Sequence, residues 1–252
     1  MNETPIRLLG KADHREDPRT LRLADYLTAT AIAPAPTHAA WSPFVTAGWP
    51  MFLNDRLGDC VIAWLGHTEQ LWAAAGTPAP TLTDGDIQQA YTDITGYNPT
   101  DPNTDQGTAM IDALNYWRGH GIAGHKIAAF VEVDHTNRGL IRDAIFYLAG
   151  IGVGLQMPIA AQNAGSHWRT PRNLHGVNAP GSWGGHCVYA LDYDRYGLTV
   201  VSWGELIRVD WGFWTAYADE AWCPLSVEQI RPGGLDAHGF NFGQLHADLA
   251  AL

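Results

Sequence analysis

The sequence predicts an α+β protein, with helices gathered early in the chain and strands gathered late. Three observations carry this: apolar residues recur at helical spacing between residues 60 and 118, alternating β-type runs take over from residue 126, and a Pro-rich segment precedes both. A doubly wound parallel sheet would interleave the two element types instead. With 252 residues, 46% of them apolar and eleven of them Trp, the chain can build one large domain or two lobes around a sizeable core.

Residues 1–50 carry prolines at 5, 18, 34, 36, 43 and 50 and one short helical candidate, TLRLADYL. They are expected to form an arm wrapped on the domain surface, too short for a long inhibitory pro-segment with a core of its own, with a short one as the alternative. A helix is expected at about 60–75, where residues 61, 64, 65 and 72 repeat at helical spacing, and another at 84–94 after the capping-type TLTDGD. A third covers 107–118. The segment TGYNPTDPNTDQGT before it is rich in turn residues and reads as a plain connector, with lining a groove as the alternative. From KIAAFVEV onward the runs GVGLQMPI, HCVYALDYD, LTVVSW, LIRVDW and EAWCPLS read as strands, with one helix near 137–148 among them. The expected organisation is a helical lobe over about 51–125, a β lobe over about 126–230 and a helical tail over about 240–252.

The net charge of −11 is spread along the chain without a Lys/Arg run, which argues against nucleic acid as a partner. No basic, apolar leader and no apolar run of membrane-spanning length are present. A cytoplasmic protein without a membrane partner is expected. The histidines at 167, 175, 238 and 246 show no metal-ligand spacing, and no cofactor is implied.

Chemistry centres on "LNDRLGDC", which ends on Cys60 at the predicted start of a helix. The free N–H groups and dipole of a helix N-terminus favour a thiolate, while Asp59 is the expected N-cap and Gly58 permits a sharp turn. A thiol nucleophile also needs a base. "GSWGGHCVYALDYDRYGLTVVSWG" offers His186, placed after two glycines at the start of a strand. Cys187 and Cys223 read as core residues. His67, two helical turns from Cys60, reads as structural or exposed.

Asn54, Gly58 and Cys60 before a helix, followed far downstream by Gly185-His186 entering a hairpin that leads to Ser202-Trp203-Gly204, together resemble the papain-like cysteine peptidases. The resemblance spans roughly residues 50–225 and suggests a divergent bacterial or phage member. It implies a helical lobe followed by an antiparallel β lobe, with the site in the cleft between them. It also implies roles: Cys60 as nucleophile, His186 as base, Asn54 with the Cys60 N–H as oxyanion donors, and Trp203 as an aromatic shield for the histidine.

The sequence departs from the family in three places. Asn54 stands for the usual Gln and is one methylene shorter. Val201 stands where the family has the Asn that orients the histidine, so Ser202, a backbone carbonyl, Asp192 or Asp210 would have to serve. Leu57 replaces a cysteine that pairs in many secreted relatives. Two functions follow. The first is a thiol hydrolase that cleaves a peptide or other amide bond through an acyl-enzyme, with a peptide or protein as substrate. The second is a catalytically weak or inactive papain-like module acting in a protein assembly, such as a bacteriophage virion component.

Overall fold

Side-chain alternation along one long strand, Gly184–Tyr193, organises the molecule. Val188 and Ala190 enter one apolar core while Cys187, Tyr189 and Leu191 enter another, because successive residues of a strand leave opposite faces. The sheet is therefore covered on both sides. The computed structural model describes residues 6–27, 34–230 and 240–251.

In chain order the strands are β1 (Ala39–Ala40), β2 (Ile127–Glu132), β3 (Ile151–Met157), β4 (His167–Trp168), β5 (Gly184–Tyr193), β6 (Gly197–Ser202), β7 (Glu205–Asp210) and β8 (Ala218–Ser226). The helices are α1 (Leu23–Tyr26), α2 (Cys60–Ala74), α3 (Asp84–Thr95), α4 (Met110–Gly119), α5 (Arg138–Leu148), α6 (Trp211–Tyr217), α7 (Val227–Ile230) and α8 (Phe242–Ala251). The sheet runs β2-β8-β3-β5-β6-β7-β4, with β1 added to β5. All pairings are antiparallel except that of β4 with β7. The α+β expectation is met.

One face of the sheet packs on α2, α3 and α4, and the other on α5 and α6. Helix α2 is apolar nearly all round and central for that reason. The Oε1 of its one buried carboxylate, Glu69, takes the Trp117 indole N–H at 3.1 Å and meets His125 at 2.7 Å, while Oε2 is buried without a partner. Thr83 and Asp86 form the capping box that starts α3, and Gly96 ends it in the left-handed conformation. At the far end Leu245 of α8 is buried, and Tyr26 of α1 donates to Asp248 at 2.8 Å.

The arm departs from a purely surface path. Residues 39–42 do dock on a strand, where Asp192 accepts from the Trp41 N–H at 2.6 Å and the Ser42 N–H at 2.8 Å. Residues 8–12 instead pass between the helices and the sheet, and Lys11 is only 6% exposed. Among the described residues, no helix is long and apolar enough to cross a membrane.

Candidate active site

The turn Phe52–Gly58 delivers Cys60 to the first position of α2. Phe52 and Leu53 adopt positive φ, the Leu57 N–H bonds to the Leu53 carbonyl at 2.9 Å, and the Gly58 N–H is held by the Asp105 carboxylate. Leu57 is buried in the core beside α2. The Cys60 sulfur accepts the backbone N–H of Cys187 at 3.3 Å. The residue next to His186 on β5 is thus in direct contact with the candidate nucleophile.

His186 is fully buried, and its ring is fixed on two sides. Its Nε2 lies 2.7 Å from Ser202 Oγ, and the Trp203 indole stacks on it at 4.3 Å with an interplanar angle of 10°. The other nitrogen, Nδ1, has no hydrogen-bond partner. Trp203 holds a positive φ of 49°, unusual for a bulky residue, and is packed between Trp183, Trp168 and the histidine. Val201 points into the α2 core opposite Tyr189. Asp192 is occupied by the arm, while Asp210 bonds His167 and the Thr170 N–H. Of the candidates for orienting His186, Ser202 is the one the fold brings to the ring.

Two expectations change around Cys60. Asp59 sits at the N-cap position, but its side chain makes no capping bond, and both its oxygens are buried without a partner. Its backbone carbonyl does the capping work, accepting from Ile62 and Ala63. Burial pushes the Asp59 carboxyl well above the usual range. Asn54, for its part, donates through Nδ2 to the Leu57 carbonyl at 3.1 Å. That bond ties the amide to its own turn.

The arm fills the seam above these groups. Leu8 donates its N–H to the Asn54 carbonyl at 3.2 Å and accepts the Trp203 indole N–H at 3.0 Å. The Lys11 N–H bonds the Gly185 carbonyl at 3.1 Å, and Gly10 and Ala12 pair with Thr108. Gly10 passes so close to Gly58 that a Cβ there would run into the Gly58 carbonyl. Thr108 closes the segment expected as a plain connector, and that segment lines the groove instead.

Burial dominates the electrostatics. It pushes the Cys60 thiol up to about 12, against hydrogen bonds from the Cys187 and Gly10 backbone that act the other way. Burial, with Arg7 adding to it, brings His186 down to about 3. With the arm in place both groups are neutral at physiological pH.

The remaining candidates are structural. His67 is buried, bonded to the Pro50 carbonyl at 2.9 Å and packed against Trp49 and Phe52. Cys187 and Cys223 are buried free thiols. Among the described residues no group of three or more His, Cys, Asp or Glu could hold a metal ion, and His238 lies outside those residues. Sequence reasoning missed Lys11, Thr108, Asp219 and Glu220. The one signal present was a glutamate, Glu220, heading the mostly apolar run EAWCPLS.

No family model and no curated protein matches the chain. Solved structures do match. Xylellain, a cysteine protease from Xylella fastidiosa, superposes with a TM-score of 0.69 at 14% identity, over 90% of this chain and 99% of that one. The Amb a 11 cysteine protease of ragweed pollen, in its proform, gives 0.58 at 15% identity over 84% and 72%. A recombinant stem bromelain precursor gives 0.55 at 15% identity over 83% and 78%. At these identities the likeness concerns architecture, and it agrees with the order of helices and antiparallel strands described above. The chain has the papain-like fold, with Cys60 at the start of its central helix and His186 on the strand facing it.

Proposed function

We propose that this chain is a thiol hydrolase, cleaving a peptide or other amide bond, held latent by its own N-terminal arm. The observation that carries this reading is the state of His186. Nε2 is anchored on Ser202, a tryptophan covers the ring, and Nδ1 is left unbonded on the strand whose next N–H reaches the Cys60 sulfur. A histidine serving only as packing has no use for one anchored and one vacant nitrogen.

In the mechanism His186 Nδ1 takes the thiol proton, and Cys60 sulfur attacks the carbonyl carbon. The Cys60 N–H, free at the helix start, stabilises the oxyanion, and Asn54 joins it once its bond to Leu57 is exchanged. His186 returns the proton to the leaving amine, and water, deprotonated by the same nitrogen, resolves the acyl-enzyme. Ser202 holds the tautomer and Trp203 excludes water. This reading keeps the division into arm, helical lobe, β lobe and helical tail. Two of the similar structures are a precursor and a proform by name, in keeping with latency.

The test is hydrolysis of a mixed peptide library by the full chain carrying Gly10→Leu and Lys11→Met, which unseat the arm without altering the cleft walls. Activity that vanishes with Cys60→Ser is the expected outcome. An opened chain that cleaves nothing would favour the second reading, an inactive module acting as a binding or structural protein. That reading has one specific observation behind it, the Asn54 amide tied to Leu57.

A further inference from the structure

The arm does more than cover Cys60. It places one long side chain in a pocket of its own. The Lys11 side chain is fully buried, with its ammonium 2.9 Å from Asp219 Oδ2 and 2.9 Å from Glu220 Oε1. Gln156 Nε2 donates to Asp219 Oδ2 at 2.6 Å, and the Trp222 indole donates to Glu220 Oε2 at 2.6 Å. These neutral neighbours set the carboxylates in place without neutralising them. Glu220 is 1% exposed. Asp219 Oδ1 has no hydrogen-bond partner, so the pocket still has accepting capacity beside the ammonium. Gly154 forms its wall, where a Cβ would collide with the Lys11 stem and Asp219.

We propose that Asp219, Glu220 and Gln156 form the pocket that selects a basic side chain, lysine or arginine, in the substrate, and that Lys11 occupies it as a stand-in for that side chain. This rests on the hydrolase reading above and names its substrate class. Three arguments support it. Glu220 is nine-tenths buried and more, and an uncompensated carboxylate there is costly, so a vacated pocket favours a cation over an apolar side chain. The backbone around Lys11 is held by main-chain groups of the cleft, the Gly185 carbonyl and Thr108, which any peptide can engage whatever its sequence. Selectivity therefore falls to the side-chain pocket. The location fits as well, since Gly10 hydrogen-bonds the Cys60 sulfur and Lys11 is its neighbour. A chain rising about 3.3 Å per residue puts the selected side chain within two residues of the scissile bond.

The test uses the full chain with Gly10→Leu and Lys11→Met, first checked for release of the arm by faster iodoacetamide labelling of Cys60. Peptide libraries are scanned at each position around the cleaved bond, comparing lysine and arginine with norleucine. Binding of the arm peptide RLLGKA and its norleucine analogue is measured on the same chain carrying Cys60→Ala. A preference of about 30-fold or more for the basic side chain is expected in kcat/KM. It should fall to near unity in Asp219→Asn and in Glu220→Gln. Asp219 is the more exposed of the two and serves if the Glu220 variant fails to fold.

Cleavage without a basic preference overturns the pocket and leaves the hydrolase standing. Binding of RLLGKA that depends on its lysine, without cleavage of any peptide, supports the pocket and sinks the hydrolase. Binding indifferent to lysine, or no binding, together with no cleavage overturns both.

Discussion

The Cys60 thiol is the sharpest probe of the closed state. Its pKa stands near 12 against an ordinary 9.0, so at neutral pH the thiolate population is lower by about 1000-fold. Burial causes that displacement, and the arm adds to the burial by crossing Gly58 at a distance only glycine tolerates, although its Gly10 N–H and Lys11 charge act the other way. Gly10→Leu cannot be seated there, and Lys11→Met removes the anchoring ion pair. The paired substitution should therefore expose Cys60 and let water and His186 stabilise the thiolate. Iodoacetamide labelling of the full chain across pH 4–9, mapped by mass spectrometry, reads this directly. The native chain should label slowly, with a rate still rising at pH 9. The opened chain should label about 1000-fold faster at pH 7 and keep a substantial rate at pH 5–6, because an imidazolium partner holds the thiolate below the free-thiol range. Adding His186→Ala should remove the acidic limb and keep the rest. Fast labelling of the native chain at pH 5–6 would refute the claim that the arm silences the thiol. An opened chain that follows an ordinary thiol titration would refute the Cys60–His186 pair.

Three further outcomes follow from the same geometry. In the opened chain, Ser202→Ala should lower kcat by about 10- to 100-fold with KM little changed, since the anchor of Nε2 acts on orientation and not on substrate contact; a steady-state comparison decides it. Trp203→Phe keeps a ring on His186 but removes the indole N–H bond to Leu8, so Cys60 in the otherwise native arm should label about 2- to 10-fold faster, the worth of one hydrogen bond. His67, brought down to about 4 by burial, takes up a proton on unfolding between that value and its ordinary 6.5. Its contribution is thus intact above pH 6.5 and lost as pH falls toward 4. The stability of the native chain relative to His67→Gln should drop by about 2 kcal/mol between pH 7 and pH 5 in urea titrations.

The fold was legible wherever periodicity was strong. β5 and β6 are near-continuous apolar runs bounded by glycines, α2 is mostly apolar, and Thr83 and Asp86 announce the start of α3. β4 was not legible, because two residues have no period and their pairing with β7 is tertiary. Within the candidate site, Cys60, His186, Ser202 and Trp203 could be nominated because their short motifs, in this order and spacing, resemble those of the papain-like peptidases. Asp59 could be placed but not understood: its sequence position signals a cap, whereas its buried side chain makes no capping bond and burial pushes its carboxyl up. Lys11 was beyond reach. Its partners Asp219 and Glu220 lie at the other end of the chain, and no local pattern links an isolated lysine to a carboxylate pair on β8.

The way the arm is held bears on how the closed state would be relieved. Leu8, Gly10, Lys11 and Ala12 use main-chain groups of Asn54, Thr108 and Gly185 together with the indole of Trp203. A peptide crossing the same seam needs those groups too, so arm and substrate exclude each other. The arm also has the advantage of being tethered. A segment already joined to its own cleft competes at an effective concentration in the millimolar range, far above that of most free peptides. Optimising substrate contacts alone is therefore a weak route to activity. A lesion in the arm acts more strongly, because it subtracts from the intramolecular competitor while leaving every cleft group available. On this argument Gly10→Leu alone, with Lys11 retained, should recover much of the activity of the paired variant: its clash with Gly58 breaks the path of the backbone that delivers the lysine. If Gly10→Leu stays closed while Lys11→Met opens the chain, the ion pair with Asp219 and Glu220 holds the arm, and the backbone merely follows it.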